Sequence, residues 1–295
     1  MNPRPPLLAR FIRHRAGAAS LIILALMTLA CFASLGWSAA AMRQTNLDTV
    51  RIPPSAAALL GTDELGRDLL ARSLYGGAIS LSLGLLAATI AVVIGTAYGG
   101  IAGYVGGRTD EAMMRIVDVL YGLPSVLLIM LLTVSLGAWI ERLQWFGSHW
   151  ARFAVLAIGI GGVSWLTMAR VIRGQVLSLR QRTFIEAARA LGIPTHKILL
   201  RHILPNLVGP ITVFATLTVP QAILQESFLS FLGIGVTPPQ ATWGSLAADG
   251  VRLLNPIRFD WWLIVFPCLA LSITLLALNF IGDGLRDAFD VKSTR

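Results

Sequence analysis

RQRTFIEAARALGIPTHKILLRHILPN, residues 180–206, is the longest run in this chain dense in charge and helix punctuation, and strongly apolar sequence lies on both sides of it. Thr183 and Glu186 stand at the spacing of a capping box, in which a hydroxyl and a carboxylate satisfy each other's free amide donors. Phe184, Ile185, Ala188 and Leu191 then share one face at helical period. Ala187, Ala188 and Ala190 keep the helix slim, so another surface can approach closely. Gly192 suits the position just past a helix end, and Pro194 suits the first turn of a second helix. Pro205 disfavours the α conformation at Leu204 and predicts a break there. The local reading is a short amphipathic helix, a sharp turn, a second helix and re-entry into apolar sequence. Residue chemistry alone leaves two roles open: a helix lying at a lipid interface, or a helix presented to the groove of a partner.

Working outward, the composition excludes most soluble classes. Of the 295 residues, 55% are hydrophobic and 13% charged, against about a quarter charged in a soluble domain. The net charge of +9 does not form one basic face, which argues against a nucleic-acid partner; the basic residues cluster between apolar runs, where they orient membrane proteins. The two lysines, Lys197 and Lys292, do not follow a phosphate-binding glycine loop, so any ATP is bound by another chain. Cys31 and Cys268 both lie in apolar runs and imply no disulfide framework.

Six runs approach the ~20 residues needed to cross a bilayer: residues 16–41, 77–106, 116–140, 153–170, 207–233 and 261–281. The first resembles a signal peptide but is too long and is read as an uncleaved span; the fourth is short and rich in glycine. With six spans, sixteen of the 24 Lys and Arg residues fall on the side of the termini and of residues 180–206, and eight on the other. That excess places both termini and this loop in the cytoplasm. The expected fold is all-α, a polytopic bundle of six transmembrane helices forming one domain, residues 1–295.

Other features refine this outline. Asp63 and Glu64 near a helix start and Arg72 near its end would complement a helix dipole. Gly95, Gly99 and Gly103 recur every four residues, a spacing that lets helix backbones meet in lipid. Pro124 would kink the following helix. In the fifth run, Gln221, Gln225 and Glu226 make an apolar span polar and are candidates for lining a pathway. Glu226 lies about 28 Å along that span from Leu207, near the outer interface, where solvation or hydrogen bonding alone would also account for it. Asn279, Asp283 and Arg286 are expected to hydrogen-bond near the cytoplasmic face. No metal site is expected. Gly162-Val163-Ser164 has the look of a membrane-protease serine, but His14, His149, His196 and His202 all lie outside the apolar runs, and such a nucleophile needs a base within reach.

EAARALG followed by LP resembles the EAA loop of ABC importer permeases: EAA, three residues, Gly, nine residues, Ile, one residue, Leu-Pro. Glu186, Ala187, Ala188, Gly192, Leu204 and Pro205 fit, while the Ile position is His202, a departure familiar in the dipeptide/oligopeptide/nickel branch. GTDELGRDLLARSLYGG, AGYVGGRTDEAMMRIVD, SFLSFLGIGVTPPQATWG and NFIGDGLRDAFD are similar to that branch's second permease; the region from Trp139 to Trp150 looks less typical.

The resemblance implies a type I importer-like transmembrane domain in a bacterial inner membrane. It implies a homologous permease partner, two ATP-binding subunits that carry ATP and Mg, and an extracytoplasmic solute-binding protein. No cofactor would be bound by this chain. Thr183, Phe184, Ile185, Glu186, Ala187, Ala188, Leu191, Gly192 and Pro194 would form the ATPase-coupling site, and Gly192 and Pro194 would set the angle at which motion enters the fifth span. Peptides are the expected substrate. Nickel or another small solute is the alternative within the branch, and a transporter working without ATPases is the alternative outside it.

Overall fold

The computed structural model describes residues 7–143, 148–254 and 259–289. These fold into helices α1 (Leu7–Arg13), α2 (Arg15–Ala33), α3 (Leu35–Ala41), α4 (Leu69–Val105), α5 (Gly107–Tyr121), α6 (Ser125–Leu143), α7 (Ser148–Arg180), α8 (Thr183–Ala190), α9 (Thr195–Ile198), α10 (Leu204–Phe231), α11 (Trp243–Arg252) and α12 (Trp262–Phe289). Five of the helical segments are long and apolar enough to cross a membrane, and the bent pair α5–α6 supplies a sixth.

The centre of the bundle is the pair α4 and α7, which run in the same direction: Ala87 lies against Gly161 and Gly103 against Arg173. A side chain at Gly95, Gly99 or Gly103 would press closer than 3.0 Å on Met168, Ala169 or Arg173 of α7. Close backbone approach is what drives helix association where lipid offers no hydrophobic gain, so the four-residue glycine stripe decides which two helices form the core. Around this pair, α10 and α2 pack on α4, α12 packs on α2 and α10, and α6 packs on α7.

Several boundaries differ from the sequence expectation. The span expected at 77–106 begins at Leu69, because Asp68 caps α4 by accepting a hydrogen bond from Ala71 N at 3.1 Å. The span expected at 153–170 extends over 33 residues, Ser148–Arg180, and its polar C-terminal end carries Arg170, Arg173 and Arg180, which reach partners beyond the apolar run. The span expected at 116–140 is two elements. Residues up to Tyr121 belong to the amphipathic α5, and α6 leaves it at 91° after Gly122-Leu123-Pro124. Proline has no amide hydrogen and disfavours α geometry in the residue before it, so the helix turns there rather than merely kinking.

Two expectations about capping also change. Residues 61–68 form a turn, not a helix, and Arg72 sits in the first turn of α4. Asp63 therefore answers no helix dipole. It accepts from Arg67 Nε at 2.7 Å and Arg72 Nη1 at 2.6 Å, and also from the backbone N–H groups of Leu65 and Arg67. The predicted break at Leu204 is likewise absent. Residues Leu199–Ile203 form a single π turn that runs on into α10. The wider turn makes room for the Pro205 ring, and the Asn206 side chain donates to the His202 carbonyl at 2.7 Å, satisfying an acceptor that helix breaks usually expose.

Candidate functional site

At one end of the bundle α8 lies across the ends of α4, α7 and the α9–α10 segment. Ile185 is 0% exposed and Ala188 is buried; they pack in one apolar cluster with Tyr104, Ile172, Val176, Ile198, Ile203 and Leu207. Phe184 and Leu191 do not share that face. They are 43% and 80% exposed, and with Thr183, Glu186 and Ala187 they form the outward side of the helix. The helix is thus apolar on two sides, one spent on its own bundle and one left free. Residues 184, 187 and 191 are one and two turns apart, which makes the free side a continuous stripe.

The helix ends are built asymmetrically. Thr183 is the first helical residue, and Arg182, in extended conformation, holds the cap position with no side-chain bond. The expected capping box with Glu186 does not form. Ile185 N and Glu186 N donate to the Arg182 carbonyl, and Thr183 and Phe184 are exposed, so water can satisfy their amides. The other end is tightly closed. Gly192 takes φ +72°, its N–H donates to the Arg189 carbonyl at 2.9 Å, and Ile193 N donates to the Ala188 carbonyl at 3.1 Å. This pair of bonds around a left-handed glycine terminates a helix in a fixed direction. Pro194 then caps the next helix from outside its first turn.

Ion pairs brace the same end. Arg173 binds Asp110 with both nitrogens of its fork, at 2.5 and 2.6 Å, tying α7 to α5. Arg170 donates to Asp118 at 2.7 Å and lies 3.9 Å over the Tyr121 ring. These partners are far apart in sequence, and spacing gave no signal for their pairing.

The three pathway candidates separate. Thr218, Gln221 and Gln225 lie on one face of α10 and line a cavity of about 290 Å³ against α7 and the α5–α6 bend. Glu226 points the other way. It is 0% exposed, and one carboxylate oxygen accepts from Ser230 Oγ at 2.6 Å and Thr242 Oγ1 at 2.8 Å. Its hydrogen bonds join α10 to the start of α11 at the opposite end of the bundle, so its surroundings are those of a packed structural group. Asn279 donates to the Leu275 carbonyl within its own helix. Ser164 donates its hydroxyl to the Ile160 carbonyl, a bond that holds it on its own helix. Among the described residues no group of three or more His, Cys, Asp or Glu side chains is placed to hold a metal ion.

The profile of the binding-protein-dependent transport system inner membrane component matches residues 95–295. The chain belongs to that family. The permease is 42% identical over 285 residues to the oligopeptide transport system permease protein OppC of Haemophilus influenzae, covering 96% of this chain and 86% of that one. It is 41% identical to the dipeptide transport system permease protein DppC of Bacillus subtilis, covering 97% of this chain and 85% of that one. Among solved structures it resembles the MetNI methionine ABC transporter in an inward-facing conformation, with TM-score 0.56 and 17% identity over 75% of this chain and 97% of that chain. That last likeness is one of fold. The permease is a multi-pass membrane subunit of an ABC importer, and it is not an enzyme.

Proposed function

We propose that this chain is one of two homologous permease subunits in an ATP-driven peptide importer of a bacterial inner membrane. Its α8 would dock into a cytoplasmic ATPase subunit, and an extracytoplasmic solute-binding protein would deliver substrate at the other end. The observation that carries the reading is the second apolar stripe of α8. Phe184 and Leu191 stand exposed on a helix whose other face is already buried, and a stripe of this kind is read by a hydrophobic groove. ATP and Mg would be held by the ATPase subunits alone. The two-to-one excess of Lys and Arg on the α8 side supports a cytoplasmic location for that end and for both termini. The names of the relatives, oligopeptide and dipeptide permeases, support peptides as the substrate class.

The test is a cross-link. A cysteine at Ala187, which is exposed in the middle of the stripe, is labelled with a short photoactivatable reagent in native membranes. The product expected is an adduct with a nucleotide-hydrolysing protein. Adducts with lipid alone, or labelling from the outer medium, would overturn the docking role.

A further inference from the structure

The cavity between the α5–α6 bend, α7 and α10 is lined without a single charged side chain. Its polar side chains are Tyr121, Ser125, Ser164, Thr167, Thr218, Gln221 and Gln225. Two of the hydroxyls have already committed their hydrogens. Ser164 donates to the Ile160 carbonyl at 2.8 Å and Thr218 to the Phe214 carbonyl at 2.7 Å. Each therefore faces the cavity as an acceptor. Gln225 Oε1 is buried and has no donor. A buried acceptor without a donor is costly, and beside it the Ser164 and Thr218 oxygens keep acceptor capacity that a ligand's N–H groups could use. At its edge Arg170 is paired with Asp118 and stacked on the lining residue Tyr121.

We infer that this cavity is a transport subsite that takes an uncharged stretch of peptide backbone through its amide N–H groups, and that it is kept neutral so that side chains of either charge can pass. This inference rests on the peptide reading above and deepens it. The volume, about 290 Å³, lies at the small end of ligand sites and suits a short segment of extended chain rather than a whole oligopeptide. Backbone amides recur in every peptide whatever its sequence, so acceptors aimed at them recognise the class without choosing among members. A fixed charge at this depth would do the opposite. In a partly desolvated site it would attract one charge type and repel the other.

The experiment uses the full complex, with its binding protein and ATPases, in proteoliposomes. The substrates are three tripeptides differing only in the middle residue: Ala-Ala-Ala, Ala-Lys-Ala and Ala-Glu-Ala. Unaltered protein is expected to move all three at rates that follow their capture by the binding protein. Gln225→Lys should lower uptake of Ala-Lys-Ala relative to Ala-Glu-Ala by about tenfold, and Gln225→Glu should shift the ratio the other way by a similar factor. Thr167→Lys, on the opposite wall, repeats the test if the α10 variants fail to assemble. Uptake ratios unchanged in assembled variants would overturn the subsite while leaving the peptide importer standing. Failure of the unaltered complex to move any tripeptide its binding protein captures would instead overturn the peptide reading itself, and the inference with it.

Discussion

The guanidinium of Arg189 lies 4.8 Å from the centre of the Tyr104 ring, and its Nε donates to the Tyr104 hydroxyl at 3.3 Å. Tyr104 is the penultimate residue of α4, and Arg189 stands on the last turn of α8. Helix α8 is therefore tied by a polar contact to the core helix α4, besides being joined to α7 through Gln181 and Arg182 and packed on Ile203 and Leu207 of the α10 segment. Helix α8 thus contacts the α4–α7 pair as well as the α10 segment, the span into which the sequence reading directs its motion.

Removing that tie should loosen transmission without dismantling the complex. The cation–π contact contributes about 0.5–1 kcal/mol at a partly exposed site, and the hydrogen bond about 1 kcal/mol more. Arg189→Ala is expected to lower uptake per ATP hydrolysed several-fold in reconstituted complex, and Tyr104→Phe, which keeps the ring, by less. An unchanged ratio in both variants would mean that α8 drives the bundle through its apolar contacts alone.

Gly192 sets the direction of the chain as it leaves α8. At φ +72° a side chain costs about 1–2 kcal/mol, and proline, fixed near φ −65°, cannot take the conformation at all. Gly192→Ala should retain most uptake at reduced stability. Gly192→Pro should insert and assemble yet hydrolyse ATP without uptake. Comparable uptake by the proline variant would refute a directional role for the turn.

The opposite end is stabilised by a buried carboxylate. Asp63 lies between Arg67 and Arg72, with Asp249 of α11 3.4 Å beyond Arg72. Deleting one member of a buried pair leaves the other uncompensated, at a cost of about 3–5 kcal/mol. Asp63→Ala should therefore lower the thermal unfolding midpoint in detergent markedly. Combined with Arg72→Met, part of the loss should return. Additive losses would show that the two side chains do not act as a pair.

Glu226 holds α10 to α11 through two hydroxyl donors. Glu226→Gln keeps an acceptor for both and should transport near normally. Glu226→Leu leaves Ser230 and Thr242 without that acceptor and should cost about 1–3 kcal/mol in stability. Altered substrate preference in the glutamine variant, with stability intact, would return Glu226 to the pathway.

The sequence by itself determined the number of crossings and their approximate places, because a bilayer demands long apolar helices whatever their neighbours. It marked one helix of the core pair as well, since a stripe of glycines at one-turn spacing has meaning only against another backbone, but α7 as the partner came from the tertiary structure. It marked the short helix α8 and its closing turn through Gly192 and the residues around it. What depended on distant partners was settled by tertiary structure alone. The bend at Gly122-Leu123-Pro124 is where one apolar run divides into a surface helix and a span, and Asp110 and Asp118 fix it by reaching arginines on α7. The inward turn of Ile185 against the outward turn of Leu191 is a matter of which side the bundle occupies. Likewise Gln225 and Glu226 are adjacent in sequence, but about 100° of helix rotation sends one into a cavity and the other into a packed contact. Local periodicity fixes a face; only the position of neighbouring helices decides what that face meets.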